Sequence, residues 1–465
     1  MHQALLQQIL DRAHAFDIVL VSTPSEAQTP WWQSRLEAGR GQILSQHAEV
    51  LCMHEDWNGG AGNGLGTLYA LQQADQRIDL MAKLASGARV ALYHTAGKGT
   101  RLAPLPGAEG HNKPGVRLPG LVHLHGTDTP ITLLEAVLRQ TSLYAAGREG
   151  RVSVFWGDQV FIPSVGPRVP GHHADILCRL RAFPDAATWQ AEKLHNYGLI
   201  AVSETGDAAQ VEKITHATAT NLALQDRIPT AAIGTSLGSF SMSRELTEVL
   251  LHEFSPELEA RTGKMDTDPH FWMPLTLDVA TYVAQRARKG ISAEEATAHH
   301  VRMRAMAADL DGPLFGAVDV GTDAWWWDYG TLQNWHANVR RLLDDGTEPG
   351  GMRQFFGVQR TGDSVVVGGA PIGSWSRSVL VDVDGQIDAH DSVAVATRGP
   401  LKLDRALLYA VRTEQALRAE DCVLAEGKGP RMQTSLDRDG GADWEVCLPG
   451  NPMSYAEWYR SNPEE

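Results

Sequence analysis

The chain has 465 residues, 43% of them hydrophobic, and a formal net charge of −15 at pH 7. That length can bury a large core and hold two or three domains. The acidic balance excludes a nucleic-acid-binding face, so any anion site must be a local cationic pocket. Four cysteines, Cys52, Cys178, Cys422 and Cys447, are scattered without a C-x-x-C pair, as expected of free thiols in a reducing compartment without structural zinc. There is no signal-peptide pattern, and no run approaches the ~18 apolar residues of a membrane span. A cytoplasmic protein with no membrane partner is expected.

In chain order, Leu5, Leu6, Ile9, Leu10 and Ala13 recur at helical spacing, and Phe16 to Val21 reads as a strand. A helical segment carries Trp31, Trp32, Leu36 and Ile43, and Ala48 to His54 is a second strand. A glycine-rich loop from Asn58 to Thr67 then leads into a helix expected from Leu68 to about Ala85. Strand, glycine loop and helix together suit anion binding at a helix N-terminus, although glycine density alone would equally give a flexible loop.

Val90 to His94 is a short apolar strand that ends in the turn Thr95-Ala96-Gly97-Lys98-Gly99-Thr100-Arg101. Glycines there let backbone N–H groups close on phosphate oxygens. Lys98 and Arg101 add charge, and Lys113 follows before Pro114. The spacing fits neither the Walker loop nor the dinucleotide fingerprint, whose third glycine is replaced by Leu102. A glycine turn with two or three cations after a strand reads as a polyphosphate site.

Ala96-Gly97-Lys98-Gly99-Thr100-Arg101-Leu102, with Lys113-Pro114 downstream, resembles the G-G-x-G-T-R-L…K-P signature of the sugar-1-phosphate nucleotidyltransferases, Ala96 replacing the first glycine. In that family a G-T-A-G-A-L-like segment contacting the base lies after the K-P lysine. Here the matching Gly66-Thr67-Leu68-Tyr69-Ala70 lies upstream instead. That order implies a circular permutation, similar to the fucose-1-phosphate guanylyltransferases, whose opening the strand from Phe16 and the glycine loop before Thr67 also resemble.

Further resemblances follow. Arg151 to Trp156 is a strand running into Gly157-Asp158, and the resemblance makes Asp158 the first Mg²⁺ ligand, at the strand end that faces the crevice of an α/β sheet. Tyr197-Gly198-Leu199-Ile200 and Val211-Glu212-Lys213 resemble the segment that holds sugar hydroxyls and sugar phosphate. Trp327-Asp328-Tyr329-Gly330-Thr331 resembles W-x-D-x-G-T, which makes Asp328 the second Mg²⁺ ligand. Thr230 to Ser243 is expected to be a strand lining the sugar pocket, with helices over Leu277 to Arg288 and Ala293 to Ala308. His299 and His300 read as solvated, the three tryptophans 325–327 as core, and Thr331 as the cap of a helix from Leu332. Asp266 and Asp268 form a D-x-D, a weak signal more consistent with a capping loop.

After Pro349 short β-branched runs recur, at Ser364 to Gly368, Ser378 to Val381 and Ser392 to Val395, which suggests stacked coils of a left-handed β-helix. A further strand is possible from Trp444 to Leu448.

The expected fold is thus α/β. A Rossmann-like, permuted, GT-A-like nucleotidyltransferase domain over 1–349, with its phosphate loop at 95–114, precedes a β-helix-like domain over 350–465. The expected reaction joins an NTP, with GTP favoured by the permuted order, to a sugar- or cyclitol-1-phosphate, with Mg²⁺ as cofactor and release of pyrophosphate. Arg101 and Lys113 would be catalytic, while Gly66, Thr67, Gly97, Lys98, Gly99 and Thr100 would bind nucleotide. Tyr197, Gly198, Glu212 and Lys213 would bind the sugar phosphate, and a homo-oligomer is expected. The alternatives are a glycosyltransferase using Asp266 and Asp268, or an inactive nucleotide-binding regulatory subunit.

Overall fold

The computed structural model describes residues 1–12, 14–95, 99–428 and 431–436. Gly97, Lys98, Cys447 and the strand suggested at 444–448 lie outside the described residues. The architecture is mixed α/β followed by a β-rich segment.

The strands in chain order are β1 (Ile18–Thr23), β2 (Glu49–His54), β3 (Val90–His94), β4 (Arg117–Leu124), β5 (Thr127–Thr132), β6 (Arg151–Trp156), β7 (Gln159–Ile162), β8 (Ala174–Arg181), β9 (Gly198–Val202), β10 (Ala208–Glu212), β11 (Ala232–Ser243), β12 (Phe315–Asp319) and β13 (Trp325–Asp328). Among the described residues a nine-stranded sheet runs β10-β9-β11-β6-β3-β1-β2, with β8 and β12 attached through β11. Strands β2, β1, β3 and β6 are mutually parallel, and β11 enters antiparallel beside β6. All six residues of β1 and all five of β3 are buried, as two-sided coverage by helices requires. β3 comes third in sequence yet lies between β1 and β6, so the winding direction switches between β1 and β3.

The glycine-rich segment differs from its expected form. The helix starts at Gly62, not Leu68, and runs to Ile78, where Asp79 in a left-handed conformation ends it before a second helix, Leu80–Ala85. Tertiary capping overrides the weak helix propensity of Gly64 and Gly66.

The helix Thr347–Phe356 crosses the position at which the sequence suggests a division. Beyond it lie β14 (Arg360–Thr361), β15 (Ser364–Ser376), β16 (Val379–His390), β17 (Val393–Val395), β18 (Leu401–Asp404), β19 (Leu407–Tyr409), β20 (Leu417–Glu420), β21 (Val423–Ala425) and β22 (Met432–Thr434). Val365 pairs with Val379, Val379 with Val393 and Val393 with Leu407, all in parallel register. Ser364, Ser378 and Ser392 stack in a buried column in which each hydroxyl accepts the amide N–H of the residue 14 positions on. The stack is not separate from the sheet, because Val365, Val379 and Val393 share an apolar core with Leu118 and Phe356. Among the described residues no helix is long and apolar enough to cross a membrane.

Candidate functional site

One edge of the nine-stranded sheet collects the chemistry. Pairing sets His54 beside Thr23, Ser22 beside His94, and His94 beside Trp156. Farther along, Leu199 pairs with Thr235 and Gly198 with Glu212. The ends of β2, β1, β3 and β6 therefore share one edge with Gly198 and Glu212, and the winding switch falls within it, where open α/β sheets bind ligands.

Two backbone hydrogen bonds pull three distant segments together at this edge. Tyr329 N–H donates to Asp158 O at 2.9 Å, and Leu332 N–H donates to Arg101 O at 2.9 Å. The antiparallel pairing of β13 with β7 sets Asp328 opposite Gln159. Asp158 and Asp328 consequently face a common space: a Cβ on Gly330 would lie 2.9 Å from Asp328 Oδ1 and 3.7 Å from Asp158 Oδ2. Burial and, next, the Asp158 charge push the Asp328 carboxyl above the usual range, against the Gly330 N–H bond and the charges of Lys113 and Arg101. Lys113 Nζ donates to Asp158 Oδ2 at 2.8 Å.

Lys113 is held by a short helical turn, Lys113–Gly115, against Gly99. Gly99 has φ +62°, and a Cβ there would meet Pro106 Cγ at 2.9 Å and Lys113 Cβ at 3.1 Å, so only glycine allows that approach. Thr100 is half-buried and the Arg101 side chain is exposed. The tryptophans behave as expected: Trp325 and Trp327 are buried, Trp326 packs against the same core, and Thr331 caps the helix Leu332–Arg341 by accepting Asn334 N–H.

Gly66 and Thr67 occupy a different setting from the one expected. The amides at the start of their helix are already taken: Asn63 N–H by Asp266 Oδ1, and Gly64 and Leu65 N–H by Met265 O. Glu55 Oε2 fills the space beside Gly66. Thr67 is buried, donates to Asn63 O at 2.7 Å and accepts from His94 Nε2 at 2.8 Å. Burial lowers the His94 pKa to about 4, so the ring is neutral, and it stacks on Trp156 with centroids 5.2 Å apart.

At the other end of the edge, Tyr197 is exposed and its carbonyl accepts Lys213 N–H at 3.0 Å. Lys213 Nζ lies 3.0 Å from Glu212 Oε1. A Cβ on Gly198 would meet Gln210 Nε2 at 3.0 Å and Asp268 Oδ2 at 3.2 Å, so this strand end tolerates only glycine without displacing them. Gln210 Nε2 donates to Asp268 Oδ2 at 3.2 Å. Burial first, then the Glu212 charge, raise the Asp268 pKa to about 7.

Asp266 and Asp268 do not converge, since the first caps a helix and the second faces Gln210. His299 and His300 are not solvated as expected. His300 is buried with Nε2 on Leu277 O, and His299 Nε2 contacts His270 O, because these carbonyls need partners where the helix packs inward. Sequence reasoning passed over His94, Trp156 and Gln210; the first two could have been marked by their places at strand ends, while nothing local marks Gln210 in the middle of β10. Among the described residues no three His, Cys, Asp or Glu side chains converge as a metal cage. Two paired carboxylates nevertheless suit Mg²⁺, which takes one or two protein carboxylates and completes its shell with water and phosphate oxygens. Comparison with protein-family models finds no match to this chain, and a search of curated proteins finds none.

Proposed function

We propose that the protein is a nucleotidyltransferase that condenses an NTP with a sugar- or cyclitol-1-phosphate. The observation that carries the reading is the meeting of Arg101, Lys113, Asp158 and Asp328 from three segments of the chain at one sheet edge. Two cations and two carboxylates at one point suit a reaction between polyanions, where positioning and charge neutralisation do the work.

An oxygen of the acceptor phosphate attacks the α-phosphorus. A new P–O bond forms there, the α–β bridging P–O bond breaks, and pyrophosphate leaves with the bonding pair. The nucleophile is already an anion, so no side chain acts as base. Arg101, with Lys98, Gly97, Gly99 and Thr100 of the loop, would hold the β- and γ-phosphates, and Lys113 the α-phosphate or the attacking one. Asp158 and Asp328 would hold Mg²⁺, which supplies neutralising charge to both reactants. Lys213 and Glu212 would take the acceptor's phosphate and hydroxyls, with Tyr197 and Gly198 beside them. For Gly66 and Thr67 the geometry supports a positioning role: Thr67 fixes His94, and His94 stacks on Trp156 at the crevice edge.

The position of β3 inside the sheet supports a Rossmann-like core in permuted order. The parallel pairings and serine column support a β-helix for the C-terminal coils, a form suited to homo-oligomers. GTP is the base the permuted order favours. Asp266 in a capping role weighs against a D-x-D glycosyltransferase.

The test is pyrophosphate release with Mg²⁺, each of the four NTPs being offered with a panel of sugar and cyclitol 1-phosphates. Release with one pair fixes reaction, base and acceptor. Consumption of a nucleotide-sugar instead would replace the reading with glycosyl transfer.

A further inference from the structure

Glu212 and Lys213 also line a cavity of about 110 Å³, together with Gln285, Arg286, Arg288 and Lys289 among others. That space holds several waters, so it admits a carboxylate or a phosphoryl group. Four of these six side chains are cationic in a chain of formal charge −15. Among the described residues, Lys213 pairs with Glu212, and none of the other three is ion-paired with a carboxylate. Arg286 instead donates to His270 Nε2 at 3.0 Å, a ring whose pKa burial lowers to about 4 and which is therefore neutral. Arg288 donates to the Lys213 carbonyl at 2.9 Å. Cations left without counter-charges around a concave space attract an anion.

We propose that this cavity receives a second anionic group, carboxylate or phosphate, carried by the acceptor at the end opposite its 1-phosphate; this rests on the nucleotidyltransferase reading. Glu212 stands on β10, three strand positions from β6, which leads to Asp158. At ~4.8 Å per strand the interval is ~14 Å, which takes in the 1-phosphate, one ring and the side chains that reach in from either strand. Glu212 takes a ring hydroxyl, Lys213 beside it stays with the 1-phosphate, and Arg286, Arg288 and Lys289 take the second anion. Bidentate geometry at Arg286 or Arg288 and point charge at Lys289 select the anion.

The test measures binding to the intact protein of glucose 1-phosphate, glucuronic acid 1-phosphate and glucose 1,6-bisphosphate by calorimetry with Mg²⁺. At least one of the last two should bind ten-fold or more tightly than glucose 1-phosphate. Lys289→Glu and Arg286→Gln should each abolish that gain, while Arg244→Glu, on another helix, should keep it. Equal binding of all three probes overturns the proposal. So does a gain that survives at Lys289 and Arg286, or one lost equally in Arg244→Glu, which would make it a general charge effect. GTP and the other NTPs titrated into the same proteins separate the two readings. NTP binding without the gain removes only the anion cavity, and the gain without NTP binding removes only the nucleotidyl reading.

Discussion

Lys113 Nζ and Asp158 Oδ2 lie 2.8 Å apart, joining the short helical turn Lys113–Gly115 to the end of β6. Both side chains are mostly buried, at 16% and 26% exposure, so the pair is poorly screened. Substrate phosphates would compete for the lysine and Mg²⁺ for the aspartate, so binding exchanges one ion pair for two. Lys113→Ala is expected to lower turnover 10²-fold or more with the circular dichroism spectrum unchanged. Turnover like the wild type in that variant would remove the phosphate-loop assignment.

Asp328 faces Asp158 in a partly desolvated setting, and both effects oppose its charge. A carboxylate kept charged against its neighbours is a stability cost that function would justify. Asp328→Asn should raise the Mg²⁺ needed for half-maximal pyrophosphate release about ten-fold or more and lower turnover 10²-fold or more. The same variant should melt at a temperature equal to or higher than the wild type at neutral pH. A lower melting temperature with an unchanged Mg²⁺ requirement would make Asp328 a structural residue.

Asp268 has its pKa raised to about 7, by burial first and then by Glu212, with Asp266 adding and Thr267 and Lys213 opposing. Its folded-state pKa lies above the ordinary aspartate value of about 3.9, so between these values the folded chain holds a proton that the unfolded chain has released. Stability from this group is full below the unfolded pKa and is lost as pH rises through the folded one. Asp268→Asn should therefore melt a few degrees above the wild type at pH 8 and level with it at pH 4. A constant offset across pH would show that the carboxyl titrates normally.

The chain's punctuation was readable where one local signal decided the outcome. β2 and β6 start and end within a residue of the ranges expected for them, and the recurring β-branched runs after Pro349 did mark stacked strands, which pair in parallel. Gly62 to Thr67 was misread because what starts that helix is Met265 and Asp266, distant in sequence and invisible to local pattern. The β4–β5 hairpin went unseen, its strands carrying Pro119, Gly120 and Pro130 among few periodic residues. At the site, Lys113, Asp158 and Asp328 could be named singly from short motifs. Their proximity comes from the backbone bonds of Tyr329 and Leu332, which no motif encodes.

Tyr409 connects the coils to the segment from Glu109 to Arg117. Its hydroxyl donates to the buried Glu109 Oε1 at 2.6 Å and accepts Arg117 N–H at 2.8 Å, while Arg117 Nε lies 3.0 Å from Glu109 Oε1. Tyr409→Phe leaves a buried acceptor and a buried donor without that oxygen, at a cost of about 1–3 kcal/mol each. Urea unfolding should show a loss in this range or above it. A loss below about 0.5 kcal/mol would mean that Arg117 alone satisfies Glu109.

The serine column makes a sharper demand on the coils. Ser378 is fully buried; its hydroxyl donates to Ser376 O at 2.8 Å and accepts Ser392 N–H at 3.2 Å. Ser378→Ala removes both hydrogen bonds at once, leaving the Ser392 amide unsatisfied where water cannot reach, so about 1–3 kcal/mol should be lost. Ser378→Thr keeps the hydroxyl but adds a methyl group to a packed column, a steric cost of about 1–3 kcal/mol. The alanine variant should also speed hydrogen exchange at the Ser392 amide, which a packing defect elsewhere would not do selectively. Unchanged protection at Ser392 with a normal urea midpoint would show that the column is incidental to the stack, whose stability would then rest on the Val365, Val379 and Val393 core alone.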